Sequence, residues 1–146
     1  LSYFAIQSRI IIISIIVIII TSAASAFTAF SFFKAGKFKL TASKETMLQA
    51  GFGWLEKLPV SAARIIAVLE LLGAFGLIVA PIAYFVGLTW AIWFAVAAGA
   101  GLALTMIVAT ILHQVRGESK YTAKMTLSLL AVSAISAAGW AILPLI

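Results

Sequence analysis

Residues 59–81, PVSAARIIAVLELLGAFGLIVAP, place an ionisable side chain deep inside a stretch that is otherwise fit to cross a membrane. The 22 steps between the prolines rise roughly 33 Å as a helix, enough for a bilayer core of about 30 Å. Glu70 lies 11 residues from each proline and is expected near the midplane. A lone carboxylate there costs roughly 2.5–3.5 kcal/mol on insertion scales if it stays charged. Such a residue needs an interior position.

Helical periodicity supplies one. Steps of three and four from Glu70 reach Ala63, Ala67, Gly73, Ala74 and Leu77, a small-residue face suited to close helix packing. Ile65, Leu72, Phe75 and Val79 make up the opposite, lipid-facing surface. Arg64, five residues from the end, is expected to snorkel to the interface. Burial disfavours an ionised carboxyl, so Glu70 is expected to donate as a neutral acid. The other option is pairing with Arg64 across a roughly 9 Å axial offset, which would keep it ionised.

The rest of the chain agrees with a membrane setting. Its 146 residues are 64% hydrophobic and 10% charged, with a mean hydropathy of +1.22. That leaves room for about four spans and loops too short to form a second domain. Cysteine is absent, which excludes thiol redox chemistry, disulfides and Cys-ligated metal. The net charge of +6 flanks apolar runs, so anionic headgroups of the lipid bilayer, not nucleic acid, are the expected partner.

Arg9 followed by IIIISIIVIII and TSAASA has the look of a signal peptide. The apolar run nevertheless continues through FTAFSFF, so a full first span over 10–33 is expected. KAGKFKL then opens a basic stretch. Ser43 is expected to cap a short helix with Glu45 in its first turn. Met47, Leu48, Trp54 and Leu55, mixed with charges and broken by Gly51 and Gly53, read as a segment lying in the interface. The second span covers 59–81, with Pro81 starting a tight connection. The third covers 84–112 and must tilt, and the fourth covers 121–145. The expected fold is all-α: a four-helix transmembrane bundle with a short interfacial segment between helices 1 and 2, in a single domain over 1–146.

Four spans put both termini on one face and the loops 34–58 and 113–120 on the other. Nine of the ten Lys and Arg residues belong to the loop side and only Arg9 to the other. The positive-inside rule then makes the loops cytoplasmic, or on the equivalent organellar face. Lys34, Lys39, Lys57 and Arg116 are expected to meet headgroups there. Trp90, Trp93 and Trp140 toward the termini, and Trp54 toward the loops, read as interfacial belts.

Counted from the loop side, Ser22, Ser25, Thr105 and Ser133 come out roughly 12–18 Å deep, at the level of Glu70. They form a candidate polar layer around it, although such hydroxyls more often bond their own backbone. His113 closes the third span near Arg116 and Glu118, where its ordinary role is to meet the helix dipole. With Arg64, Lys57 and Glu118 it forms a candidate polar cluster whose first reading is an anchor for the helices and whose second is a site for an anionic headgroup or a quinone carbonyl. No metal-ligand, nucleotide-binding or Ser-His-Asp pattern is visible.

AGKFKL at 35–40, Arg64, ELLGAFGLIVAP at 70–81, a small-residue third helix and HQVRGE at 113–118 together resemble the DoxX-like family of four-helix membrane proteins. The most specific matches are Ala35, Gly36, Lys39, Leu40, Glu70, Leu71, Gly73, Gly76, Leu77 and Pro81. The resemblance implies a four-helix bundle and an association with quinone-linked redox systems, since one namesake group belongs to thiosulfate:quinone oxidoreductase. Other relatives are accessory or assembly proteins. Lack of cysteine separates this chain from quinone reductases that work through thiols.

The expected function is a non-catalytic membrane accessory or assembly subunit of a respiratory or photosynthetic complex, contacting other membrane subunits and taking quinone or lipid. The first rival is a quinone-linked redox protein in which Glu70 or His113 exchanges protons. The second is a small transporter with Glu70 as coupling acid, disfavoured because no inverted repeat is seen.

Overall fold

A computed structural model describes residues 2–146, and among these residues every regular element is helical. With no water in a bilayer core, each backbone amide must be satisfied within its own segment, which makes helix the outcome for these apolar runs. Four helices are long and apolar enough to span: α1 (Ser2–Thr41), α3 (Val60–Phe85), α4 (Ile92–Val115) and α5 (Ser119–Ile142). The short α2 (Lys44–Gln49) and a 3-10 turn at Gly53–Leu55 lie between the first two. The bundle expected from sequence is therefore present.

Each spanning helix packs on the spanning helix before it in the chain, and α5 closes the ring against α1. Three apolar layers fill it. Met47, Leu55 and Ala63 form the loop end. Ala29, Phe32, Ala74, Leu77, Leu102 and Met106 form the middle. Ala80, Ile92, Ala95, Trp140 and Leu143 form the terminal end.

Backbone close approach holds that last layer together. A Cβ on Gly99 of α4 would lie 3.0 Å from the Ala137 amide nitrogen of α5. At the same end Ser25 and Ser136 share a 2.5 Å hydrogen bond, and the Trp140 indole donates to Ser25 Oγ at 2.8 Å.

The boundaries differ from expectation at Pro81. α3 runs through this buried proline to Phe85, because neighbouring helices and local adjustment make up for one missing amide in a membrane helix. The connection is made instead by Gly87 at φ 108°, a conformation that favours glycine, and a 3-10 turn at Thr89–Ala91 precedes α4. Glu70 consequently lies ten residues from the start of α3 and fifteen from its end, roughly 4 Å on the loop side of the helix centre.

The segment after α1 also differs. Ser43 caps α2 as expected, accepting from the Thr46 amide at 3.1 Å. Met47 and Leu55, however, are fully buried. They pack with Ala63, Phe38 and Phe52, so the segment plugs the end of the bundle instead of lying flat in the interface.

Candidate functional site

The inward stripe of α1 sets the site. Thr21, Ser25, Thr28, Phe32, Gly36 and Lys39 follow one another at steps of three and four and are all buried. Small residues bring α3 close to it: a Cβ on Gly36 would lie 2.9 Å from Leu71 Cγ and 3.1 Å from the Ala67 carbonyl. At this closest approach the Lys39 ammonium donates to both oxygens of Glu70, at 2.8 and 2.6 Å. Both side chains are buried, 8% and 3% exposed. Phe52 from the plug lies under the ammonium, 5.6 Å from ring centroid to Nζ. A desolvated carboxylate is tolerated here because a cation lies directly against it.

Arg64 does not reach Glu70 and does not snorkel. Its guanidinium donates to the Lys39 carbonyl and, at 2.8 Å, to the Ala42 carbonyl. Lys39 belongs to the last turn of α1 and Ala42 directly follows it, where carbonyls have no partner further along the helix. Arg64 thus fixes the backbone that carries Lys39. Lys39 itself, grouped by sequence with the headgroup cations, is turned inward.

The candidate polar layer does not converge on Glu70. Ser25 bonds Ser136 and Trp140. Thr105 donates to the Gly101 carbonyl at 3.0 Å and Ser133 to the Leu129 carbonyl at 2.6 Å. Ser22 is exposed. Ser25 lies at the terminal end of the bundle, away from Glu70, because α1 runs on to Thr41 rather than ending at 33, and Thr105 and Ser133 face their own backbone. Trp140 is fully buried in the α1–α5 seam rather than in an interfacial belt, whereas Trp90 and Trp93 are exposed.

The second cluster is smaller than expected. His113 Nδ1 and Glu118 Oε2 are 2.7 Å apart, and Arg116 Nε donates to Glu118 Oε1 at 2.7 Å. Arg64 and the exposed Lys57 are not part of it. The hydrogen bond with His113, and then that from Arg116, holds the Glu118 carboxyl below its ordinary value. Arg116 also lies against the plug, 2.5 Å from where a Gly53 Cβ would stand, so the two polar loops meet at one end of the bundle.

Between these clusters the helices enclose a cleft of about 1460 Å³. Glu70, Lys39, Phe52 and His113 form its polar end, and Gly73, Ala98, Leu102 and Met106 part of its apolar wall. On one flank it reaches Phe30 and Lys34 of α1 with Lys124 and Met125 of α5. On the other it reaches Leu69 of α3 with Leu104 and Val108 of α4. All seven of these side chains are exposed, so the cleft opens to the outside of the bundle.

A model of the DoxX-like family matches residues 23–136. The chain belongs to the DoxX-like family. No curated protein and no solved structure matches it. The DoxX-like region contains Lys39, Arg64, Glu70, His113 and Glu118, and it starts beyond the isoleucine run of 10–20.

Sequence reasoning missed Lys39 as the partner of Glu70 because it was counted among basic residues flanking a span. The signal that could have found it is the α1 stripe: Lys39 continues the register of Thr28, Phe32 and Gly36.

Proposed function

We propose that this DoxX-like membrane protein is a non-catalytic accessory or assembly subunit of a larger respiratory or photosynthetic complex, and that its cleft holds a quinone or lipid. One observation carries the reading. The charged groups at the polar end of the cleft are engaged with one another, Lys39 with Glu70 and His113 with Glu118, beside a wide apolar chamber. That arrangement is organised for holding a molecule rather than for turning one over. Phe27, Phe30, Trp90 and Trp93 are exposed on the outside of the bundle and offer aromatic anchors for neighbouring subunits. The proposed orientation has the loop end cytoplasmic, or on the equivalent organellar face, and the termini opposite.

A quinone-linked redox role is the second reading, favoured by His113 and Lys39 lining the same cleft. The chamber is roomy and apolar enough for a ring with a tail, and these two residues are the donors that would hold its carbonyls. A bound quinone would supply the electron-accepting chemistry. This chain would orient the ring, exclude water with Phe52 and hold protons at His113 and Glu70.

Purification from native membranes in mild detergent, followed by mass spectrometry of bound protein and lipid, tests the proposal. Stoichiometric co-purification of other membrane subunits is expected. Recovery of the chain alone, with a quinone whose reduction it supports, would replace the accessory reading by the redox one. Gly101→Trp provides a direct check on the cleft, because Gly101 lines it and a Cβ there would meet nothing within 4 Å. It should lower retention of any bound molecule while leaving the fold intact.

A further inference from the structure

Lys34 and Lys124 face one flank of the cleft from different helices, α1 and α5, and neither forms an ion pair among the described residues. The acids near the cleft are committed elsewhere, Glu70 to Lys39 and Glu118 to His113 and Arg116. This flank therefore carries two uncompensated positive charges beside an apolar opening. A neutral ring has no use for them. We infer that the cleft takes one anionic glycerophospholipid from the surrounding bilayer, its phosphate held between Lys34 and Lys124 and an acyl chain laid between Phe30 and Met125.

Position, size and chemistry agree with that ligand. Lys34 lies seven residues before the end of α1 and Lys124 five after the start of α5. Lys124 is thus roughly 8 Å along α5 from its loop-side end and Lys34 roughly 11 Å along α1 from its own, two residues from Phe32 of the middle layer, so the phosphate is drawn below the headgroup layer into the mouth of the cleft. The Lys34 ammonium is held 5.6 Å from the Phe30 ring centroid, at the mouth of the cleft. The volume of about 1460 Å³ exceeds the roughly 300–1,000 Å³ of ordinary small-molecule pockets and suits an acyl chain. The inference rests on the reading above that the cleft holds a molecule at all, and it names the class.

The test uses the full chain, delipidated in detergent and titrated with phosphatidylglycerol or phosphatidylcholine of identical chains, read by native mass spectrometry. The unaltered protein should prefer phosphatidylglycerol. Lys34→Gln with Lys124→Gln should lower that preference about thirtyfold, the ordinary worth of two lysines at a membrane surface. Lys34→Arg with Lys124→Arg should keep most of it, and Lys37→Gln with Lys120→Gln, which removes equal charge outside the cleft, should keep all of it. Inorganic phosphate should not displace the lipid. Equal binding of the two lipids, persistence of the preference in the Gln pair, or its equal loss in the 37/120 control would overturn the inference while leaving the cleft reading in place. Failure of Gly101→Trp to weaken binding of either lipid would remove the cleft reading, and this inference with it.

Discussion

Thr21 of α1 occupies the space in which Gly139 of α5 would carry a side chain. A Cβ at 139 would overlap the Thr21 hydroxyl and lie 2.8 Å from Thr21 Cβ and Cγ2. Thr21 is itself buried and β-branched, so it has little freedom to turn away. Gly139→Ala should destabilise the bundle by about 1–3 kcal/mol, the usual range for overpacking. Thr21→Ala should restore part of the loss. Denaturant titration in mixed micelles of the two single variants and the pair measures the coupling.

For Lys39 and Glu70, breaking the pair should be worse than deleting it. Lys39→Met or Glu70→Leu alone leaves one buried charge without its partner and should cost about 3–5 kcal/mol. The combined variant should recover most of that stability. Thermal unfolding in lipid nanodiscs decides it, and a double variant no better than the singles would refute the pairing. If Glu70→Gln preserves both folding and the activity of the complex containing this chain, the titratable proton of Glu70 has no functional role.

Arg64 acts on α1 through two backbone carbonyls. Arg64→Met should loosen the last turn of α1, at a cost of about 1–3 kcal/mol for charged hydrogen bonds. Arg64→Lys should recover only part of it, since an ammonium lacks the fork that serves both carbonyls. Hydrogen exchange at positions 38–42 should rise several-fold in both variants.

The loop contact at Glu118 has a defined pH window. Its carboxyl is held below the ordinary value of 4.5 by His113 and Arg116. A lowered folded value means that its stabilisation is fully present above the ordinary value and is lost as pH falls through the lower one. Protease cutting within 113–118 should therefore stay constant from neutral pH to just below 4.5 and rise only under stronger acid. In Glu118→Gln the acid-dependent rise should be absent.

Cysteines introduced at Lys44 and Ser119 should react with one impermeant reagent from the same side of sealed vesicles. Both positions lie at the loop end of the bundle, where Arg116 meets the plug. Labelling from opposite sides would contradict the arrangement of the four spans.

The architecture was readable because lipid leaves few choices. Long apolar runs become helices, and polar interruptions become the turns between them. The face of α3 was readable too: Ala63, Ala67, Ala74 and Leu77 are buried, whereas Ile65, Leu72, Phe75 and Val79 are exposed. What sequence did not reveal was pairing between helices, because depth along an axis says nothing about rotation around it. Thr105 bonds its own helix, and Ser25, eleven residues of α1 beyond Gly36, bonds at the far end of the bundle. Trp140 has the composition and depth of a belt residue, but its register with Ser133 and Ser136 turns it into the core. Pro81 misled because a proline ends a helix dependably in water, where a free carbonyl is hydrated, and less so inside a packed bundle.

Lys39 and Glu70 belong to the first two spans, so a growing chain holds both before α4 and α5 have been synthesised. Each can therefore enter the membrane as half of a neutral pair, with no need to await a distant partner. Among the described residues, α4 and α5 contribute no buried charge. They can join afterwards as ordinary apolar segments. Chain order thus allows the least favourable insertion to be settled at the first hairpin.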